Sequence, residues 1–235
     1  MLDRLIGNLE ITSLRRFPKF SISIRTRRHH AVQHDERFLK LFDRLQKGKL
    51  LIQTFNDAYN VYHFCGRTAR VPGDVAEFGV FKGGTARLLC EVKGSRPLHL
   101  FDTFDLFGGM PAVQKGIDIH RQGDFKEAKL NDVKTLLADF PDVNFYPGFF
   151  PDSAKSLGER NTRFSFVHLD VDIYQSTLDG LKFFYPRLSP GGMLVSHDYR
   201  FLQCKGVRKA FDEFFSDKPE SVLELWDTQA LVIKQ

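Results

Sequence analysis

Long apolar runs and closely spaced cysteine pairs are both missing from this sequence of 235 residues. No stretch of roughly 18 consecutive apolar residues occurs, so no membrane span is predicted. The first 30 residues lack the continuous apolar core of a secretory signal. The three cysteines, Cys65, Cys90 and Cys204, are odd in number, and no two have the spacing of zinc ligands. Ordinary thiols of this kind are typical of a reducing compartment, and we expect a cytoplasmic protein.

Acidic residues are scarce at the N-terminus. The formal net charge is +5, and residues 1–50 carry 12 Lys and Arg against 5 Asp and Glu, so the rest of the chain is slightly acidic. Such a basic arm fits either an anionic partner, such as a nucleic acid or a membrane surface, or a solvated segment. Its densest part, residues 25–30, has no Phe, Tyr or Trp on which a base would stack, so we favour the solvated arm. Its Arg-rich composition leaves an organellar presequence open.

The rest of the chain alternates between helical and strand patterns. Residues 35–64 have helical periodicity, which predicts a helical prelude that covers one side of a ligand site. The later alternation predicts an α/β fold with a doubly wound, mostly parallel, Rossmann-like sheet. Strands are predicted near 74–80, 97–102, 143–148, 164–171 and 192–197, and helices near 84–93, 126–140, 176–188 and 206–216.

The C-terminal segment breaks this alternation. Residues 222–226 and 230–233 are strand-like, and the three residues between them are too few for a crossover helix. They must therefore pair as an antiparallel hairpin, which completes a seven-stranded sheet. We expect residues 1–69 to form the basic arm and helical prelude, and residues 70–235 to form the ligand-binding domain.

Two predicted strands end in polar residues that bind cations well. Asp170 ends the strand before the helix at 176–188, and His197 and Asp198 end the strand after it. A strand, a helix and a strand of this length form a right-handed crossover, so the carboxyl ends of the two strands lie side by side. A carboxylate that ends a buried strand requires a partner or a metal ion. The pattern predicts a metal site of Asp170, His197 and Asp198, in which His197 is a ligand, a general base or a neutral histidine bonded to the backbone.

A glycine-rich turn follows the predicted strand at 74–80. Its spacing, from Glu77 through Gly79, Gly83 and Gly84 to Thr85, differs from the dinucleotide fingerprint, and an acid lies inside it. An acid disfavours a pyrophosphate but suits a cationic cofactor with an amino-acid tail, so we favour S-adenosylmethionine over NAD. The Glu77 carboxylate would accept hydrogen bonds from the ammonium group of S-adenosylmethionine, or it would cap the next helix. Further predicted cofactor contacts are Asp102 and Thr103 at the ribose, Phe149 at the adenine, and Asp170. The alternative role of Asp102 is to cap a helix, and the alternative for Phe149 is to pack in the core.

Several ordered blocks together resemble one known family. They cover roughly residues 70–216, and they resemble the macrolide-sugar O-methyltransferases typified by macrocin O-methyltransferase. The blocks are EFGVFKGG from Glu77, FDTF from Phe101, GFFPDS from Gly148, HLDVDIYQST from His168, LSPGG from Leu188, HDY from His197 and GVRKAFDEFF from Gly206.

This resemblance implies a class I methyltransferase fold and a metal-dependent transfer of a methyl group from S-adenosylmethionine to a hydroxyl of a sugar or natural product. The implied ion is Mg²⁺ or Mn²⁺, and Asp170 and His197 are the predicted catalytic residues. The family commonly has two adjacent aspartates where this chain has His197 and Asp198. A nitrogen ligand suits Mn²⁺, Fe²⁺ or Zn²⁺ better than Mg²⁺.

Two other classes of function stay open at this point. A nucleic-acid methyltransferase would explain the basic arm, although His197 to Tyr199 differs from the Asn/Asp-Pro-Pro-Tyr/Phe tract of enzymes that methylate base amino groups. A non-catalytic cofactor- or sugar-binding protein would share the fold. The sequence does not identify the acceptor, and it leaves a homo-oligomer open. The Gly-rich stretch at 104–124 is predicted to be a lid that selects the acceptor.

Overall fold

Helices and strands alternate along residues 35–235, the part of the chain that the computed structural model describes. The densest part of the basic arm lies outside the described residues. The strands are β1 (Asp74–Phe78), β2 (Leu98–Asp102), β3 (Val143–Pro147), β4 (Phe164–Leu169), β5 (Leu188–Ser196), β6 (Leu223–Glu224) and β7 (Ala230–Ile233). The α-helices are α1 (Glu36–Lys47), α2 (Phe55–Arg67), α3 (Gly84–Val92), α4 (Leu130–Leu136), α5 (Lys155–Glu159), α6 (Tyr174–Phe184) and α7 (Lys205–Phe215).

The seven strands form one sheet in the order β3-β2-β1-β4-β5-β7-β6. Strands β1 to β5 pair in parallel, whereas β7 runs antiparallel to both β5 and β6. The predicted parallel sheet with an antiparallel C-terminal hairpin is confirmed. Since β1 pairs with β2 on one side and β4 on the other, the strand order reverses there, and ligands bind at such a switch point in open α/β sheets.

Several predicted boundaries were wrong. Strand β5 starts at Leu188, which pairs with Phe164 of β4, and its residues Gly191 and Gly192 bond to the backbone of Lys234 at 2.7 and 2.9 Å. The helix predicted near 126–140 is only Leu130–Leu136. In the predicted first turn of this helix, the Ala128 carbonyl accepts a hydrogen bond from the Asp105 amide at 2.8 Å instead of a helical one. The irregular segment after β2 therefore extends over residues 103–129.

Large side chains fill the space on both faces of the sheet. One hydrophobic cluster centres on Phe101, Phe164, Phe184 and Phe211, all of them fully buried. The other contains Leu89, Leu98 and Phe166 and faces α2, α3 and α4. Burying one such side chain contributes roughly 1.5–3 kcal/mol. These cores hold the strands in register and thereby fix the positions of the residues at the strand ends.

The N-terminal helices pack onto this sheet. The side chain of Asp35 caps α1 by accepting from the Phe38 amide at 2.9 Å. The apolar face of α1, with Phe38 and Leu45 fully or almost fully buried, packs on α2 and on Leu88 of α3. Residues 48–54 connect α1 to α2 and reach the carboxyl edge of the sheet. Within residues 35–235, no helix combines the length and the apolar character required to cross a membrane.

Candidate active site

A cavity of about 440 Å³ opens at the carboxyl ends of β1, β2, β4 and β5. Its volume lies within the range of roughly 300–1,000 Å³ that small-molecule and cofactor sites usually have. Three parts of the chain enclose it: the segment from Leu50 to Asp57, the Gly-rich turn after β1, and the irregular segment 103–129. Of the predicted site residues, the lining includes Gly79, Gly84, Thr85, Asp102, Thr103, Phe149, Asp170, His197 and Asp198.

The predicted metal ligands converge at one end of this cavity. The Nδ1 atom of His197 lies 3.1 Å from Oδ1 of Asp170 and 3.0 Å from Oδ2 of Asp198. This nitrogen is buried and forms no hydrogen bond with any described residue. The ligand atoms of these three side chains all lie within 4.8 Å of one another. Two carboxylate oxygens around an unbonded imidazole nitrogen form a donor set that fits a divalent cation.

The electrostatics of this cluster favour a cation. Burial lowers the pKa of His197, but the negative charge of Asp170 outweighs it and holds that pKa well above its usual value. Burial raises the pKa of Asp170, yet the positive charge of His197 brings it below its usual value. A third carboxyl, that of Asp172, has a pKa well above the ordinary range because of burial and the nearby charges of Asp198 and Asp170. One imidazolium leaves excess negative charge, which a bound metal ion would neutralise.

The backbone turns sharply where these acids lie. Asp172 and Asp198 have φ values of 59° and 61°, in the left-handed region that Asp tolerates better than most residues do. The strand ends are held in place just before the turns. The Asp170 amide donates to the carbonyl of Phe78, and the His197 amide donates to that of Leu169, both at 2.8 Å. The sheet thus fixes the backbone from which the ligand side chains project.

A second layer of polar residues comes from the N-terminal segment, and no sequence pattern predicted it. The side-chain amide of Gln53 donates to Oδ2 of Asp170 at 2.9 Å. Fully buried Asp57 places Oδ2 3.7 Å from Nε2 of His197, and this oxygen also accepts from the hydroxyls of Thr54 and Thr228 at 2.8 and 3.3 Å. In the sequence, Thr54 and Asp57 look like an ordinary helix cap. Only the packing of α2 on the sheet brings Asp57 against His197, one of the predicted metal ligands.

Asp102 organises the Gly-rich turn. Its Oδ2 accepts from the amides of Val80 and Phe81 at 2.7 and 2.9 Å, and its Oδ1 accepts from Phe104 at 2.7 Å. Burial raises the pKa of this carboxyl, although the three backbone bonds oppose that rise. Asp102 lines the cavity as predicted, but the alternative of a simple helix cap was wrong, because its bonds join the ends of β1 and β2.

Glu77 differs from the expectation of a direct cofactor contact. The side chain of Glu77 is fully buried and does not line the cavity. Its Oε1 atom lies within hydrogen-bonding distance of Nδ1 of His168, at 3.0 Å. Burial raises its pKa to about 7, and the bond with His168 opposes that shift. The reason is its register position, since Glu77 lies directly beside His168 on neighbouring β4. In this structure Glu77 therefore belongs to the layer beneath the cavity.

The glycines of the turn are required mainly by close packing within the protein. A Cβ at Gly79 (φ +92°) would lie 1.7 Å from the carbonyl oxygen of Asp170, and one at Gly84 would lie 2.3 Å from that of Leu50. Gly83 (φ +79°) does not line the cavity and faces Val133 instead. The predicted contact of Gly83 with a ligand is therefore not supported. Gly79 lets the ends of β1 and β4 approach, while Gly84 lets the N-terminal segment cover the start of α3.

The remaining predicted contacts lie along the cavity wall. Thr85 is almost fully buried at the start of α3, and Thr103 follows directly after Asp102. Phe149 is 42% exposed and packs edge-on against Phe107, with ring centroids 5.8 Å apart. This exposure excludes the alternative in which Phe149 is a simple core residue. A side chain that is half exposed beside a cavity is available to a ligand.

Segment 103–129 forms part of the cavity wall. The carboxylate of Asp118 accepts from the Tyr174 amide at 3.0 Å, which docks the segment on the start of α6. Gly206 of α7 permits this, because a Cβ there would lie 2.2 Å from Oδ1 of Asp118. Met110, Pro111, His120 and Phe125 of the segment line the cavity. The sequence predicted a lid at 104–124. In the structure the segment borders the cavity, and its movement as a lid stays a prediction.

Comparison with known proteins places the chain in a family. A sequence profile described as Macrocin-O-methyltransferase (TylF) matches residues 62–220. The chain belongs to this family of O-methyltransferases. A relative from Streptomyces olivaceus, the 8-demethyl-8-(2,3-dimethoxy-alpha-L-rhamnosyl)-tetracenomycin-C 4'-O-methyltransferase, is 33% identical over 151 residues, which cover 57% of this chain and 56% of that protein. The chain spans little more than half the length of the curated relatives it matches.

Solved structures confirm the predicted class I methyltransferase fold. The O-methyltransferase NovP has a TM-score of 0.64 and 24% identity, and the match covers 76% of this chain and 79% of that chain. The O-methyltransferase TomG from Streptomyces achromogenes, solved in complex with S-adenosylmethionine, has a TM-score of 0.60 and 13% identity, covering 86% of this chain and 91% of that one. At these identities the likeness supports the fold and leaves the ligands to be argued from the site.

Proposed function

We propose that this protein is an S-adenosylmethionine-dependent O-methyltransferase that requires a divalent metal ion and methylates a hydroxyl of a sugar or small natural product. One observation carries the proposal. The side chains of Asp170, His197 and Asp198 converge in a cavity that is also lined by the Gly-rich turn after β1. This places a cation site next to a cofactor-sized space, at the switch point of an α/β sheet.

The cofactor would lie along the turn between β1 and β2. Asp102 fixes the amides of Val80 and Phe81, and its carboxylate still faces the cavity, where ribose hydroxyls could reach it. Thr85 and Gly84 at the start of α3 border the same space, and half-exposed Phe149 offers an aromatic face for the adenine. The family assignment and the structure of a related fold with bound S-adenosylmethionine support this cofactor.

Asp170, His197 and Asp198 would hold the metal ion, and a bound divalent ion lowers the pKa of a hydroxyl that coordinates to it. Gln53 and Asp57 would orient two of these ligands from behind. The catalytic role predicted for Asp170 and His197 then lies in holding and positioning the acceptor. Proton removal falls to the carboxylate of Asp172, which lines the cavity beside the ligands.

Segment 103–129 would select the acceptor. It lines the cavity with Met110, Pro111 and Phe125, and it exposes Leu106, Phe107 and Ile119 by 59%, 45% and 56%. An apolar surface of this kind suits a hydroxyl carried by a partly apolar molecule, such as a glycosylated aromatic compound. The rhamnosyl-tetracenomycin substrate named for the Streptomyces olivaceus relative has this character.

Residues 36–67 belong to the catalytic unit in this proposal, since Gln53 and Asp57 support the site. The predicted domain boundary at residue 69 stays a prediction.

Methyl-transfer assays test this function. The chain would be incubated with labelled S-adenosylmethionine, Mn²⁺ and a panel of rhamnosides, other glycosides, catechols and RNA. We expect label in a glycoside or phenol, loss of turnover with excess chelator, and recovery when Mn²⁺ is restored. Calorimetry that detects no binding of S-adenosylmethionine up to millimolar concentrations would refute the methyltransferase assignment. Turnover that persists unchanged in chelator would refute the metal requirement, and methylated RNA would refute the small-molecule acceptor.

A further inference from the structure

A second group of metal-binding side chains lies beside the first and comes from three separate segments. These are His120 of segment 103–129, Asp172 of the turn after β4, and Cys204 immediately before α7. Their ligand atoms lie within 4.8 Å of one another. The Nε2 atom of His120 is 3.8 Å from Oδ1 of Asp172 and 3.8 Å from Sγ of Cys204.

The distances suit a tetrahedral ion. With metal–nitrogen and metal–oxygen bonds of about 2.0–2.2 Å and a metal–sulfur bond of about 2.3 Å, neighbouring ligands in a tetrahedron lie roughly 3.3–3.6 Å apart. Contraction by a few tenths of an ångström would bring His120 to this spacing from both Asp172 and Cys204. The other ring nitrogen of His120 lies 3.5 Å from Oδ2 of Asp124. A carboxylate behind a ligating histidine fixes its tautomer and orientation, as is common at zinc sites.

The donor types select the ion. A thiolate, an imidazole and a carboxylate together suit Zn²⁺ or Co²⁺ and do not suit Mg²⁺, which requires oxygen ligands. Three protein ligands leave the fourth position open, and since His120 and Asp172 both line the cavity, that position faces the cavity. Burial and the charges of Asp198 and Asp172 raise the pKa of the Cys204 thiol, so a bound metal ion would have to displace its proton. We infer that His120, Asp172 and Cys204 form a second, thiophilic metal site that fastens segment 103–129 to α6 and α7.

This site has a consequence for activity, which rests on the proposed function. Zinc bound there would take the carboxylate of Asp172, the proposed proton acceptor, and would hold the segment closed over the cavity. Added Zn²⁺ therefore inhibits methyl transfer supported by Mn²⁺. Cys204→Ser retains activity without zinc, since Cys204 does not line the cavity, and it loses the inhibition.

Cobalt spectroscopy tests the site without any assay of activity. Titration of the full chain with Co²⁺ is expected to produce the near-ultraviolet charge-transfer band of a cobalt–thiolate bond. Cys204→Ser removes this band, and Cys90→Ser, a matched change at another buried cysteine, retains it. Asp170→Asn also retains it, because that change affects the first cluster only. His120→Ala, in a partly exposed loop, weakens Co²⁺ binding at least about 10-fold, and it serves in place of Cys204→Ser if that variant does not fold.

Limited trypsin digestion provides a second readout. The exposed Lys115 and Arg121 flank His120, and Zn²⁺ is expected to slow cleavage there in the wild type and not in His120→Ala. Absence of the cobalt–thiolate band, its survival in Cys204→Ser, or equal cleavage with and without Zn²⁺ would overturn the site. If methyl transfer fails in every assay while the band and the protection are present, the proposed function fails and the metal site stands.

Discussion

The side-chain amide of Gln53 lies 2.9 Å from Oδ2 of Asp170, although 117 residues separate the two along the chain. Gln53 is buried, and its backbone carbonyl accepts from Gln46 of α1 at 3.0 Å. The N-terminal helices thus hold the residue that orients a proposed metal ligand. This contact couples the covering segment to the site.

Gln53→Ala should weaken metal binding and leave the fold intact. The change removes the bond that orients Asp170, and loss of such an outer-shell partner typically costs roughly 10–100-fold in metal affinity or activity. Titration of Mn²⁺ by calorimetry, with circular dichroism as a check on folding, measures the effect. Gln175→Ala is the matched control, because that exposed amide donates to Asp179 on the surface at 3.0 Å. Equal loss of affinity in both variants would remove the role assigned to Gln53.

His197→Asp should change the preferred ion from Mn²⁺ towards Mg²⁺. The variant replaces a nitrogen donor by a carboxylate, and hard oxygen donors are the ligands that Mg²⁺ prefers. The wild type is expected to work at least as well with Mn²⁺ or another transition ion as with Mg²⁺. The ratio of the two activities, measured at saturating concentration of each ion, gives the result. A ratio that is the same in both proteins would mean that His197 is not a ligand.

Asp102→Asn should weaken the binding of S-adenosylmethionine while the domain stays folded. Both carboxylate oxygens of Asp102 accept backbone bonds, and an amide group presents only one acceptor. In the proposed pose the carboxylate also accepts from a ribose hydroxyl, and loss of one such charged bond costs about 1.5 kcal/mol or more, which is more than 10-fold in the dissociation constant. Calorimetry with S-adenosylmethionine checks this. Asp105→Asn, which loses a bond from Leu130 outside the cavity, is the control, and identical affinity in the Asp102 variant would contradict the assignment.

Shortening segment 104–124 should change acceptor choice or abolish turnover while cofactor binding is retained. The segment lines the cavity with Met110, Pro111, His120 and Phe125, whereas the cofactor would lie along the turn between β1 and β2. Deletion of residues 1–30 serves as the comparison and is expected to leave cofactor binding intact. Affinity for S-adenosylmethionine and turnover with two different acceptors would be measured for each deletion. If removal of the arm abolished an RNA-methylating activity, the small-molecule assignment would be wrong.

Stability should fall in acid because of Glu220, far from the cavity. This buried carboxylate accepts from Lys234 at 2.6 Å and from the hydroxyl of Tyr185. Burial raises the pKa of Glu220, but the bond with Lys234 outweighs it and brings that pKa down to about 2. A group with a lowered pKa stabilises the fold above its unfolded value of about 4.5, and this stabilisation is lost as pH falls towards 2.

Glu220→Gln should therefore lose roughly 2 kcal/mol of unfolding free energy at pH 7 and show a smaller further loss between pH 4.5 and 2 than the wild type. Urea unfolding at several pH values measures both. Exposed Glu127→Gln is expected to follow the wild-type curve. A Glu220→Gln curve that runs parallel to the wild-type curve would contradict the proposed pKa shift.

Local patterns were sufficient to predict the architecture. The alternation of strands and helices, the crossover between Asp170 and His197, and the short link at residue 227 determine a parallel sheet with an antiparallel hairpin. The same patterns brought Asp170, His197 and Asp198 together, since parallel strands that are neighbours end at the same edge. These inferences succeeded because they depend on periodicity and connection length, which adjacent residues encode.

Contacts between distant segments could not be read in this way. The bonds from Gln53 to Asp170 and from Asp57 to His197 exist only because α2 packs against the sheet, and a helix-cap pattern hides them. The burial of Glu77 beside His168 depends on the register of β1 against β4, which neither strand specifies alone. The sequence by itself therefore determined which strand ends meet at one edge of the sheet and which acids those ends carry. The tertiary structure decided which side chains face the cavity and which support them from beneath, because burial and register depend on packing between elements far apart in the chain.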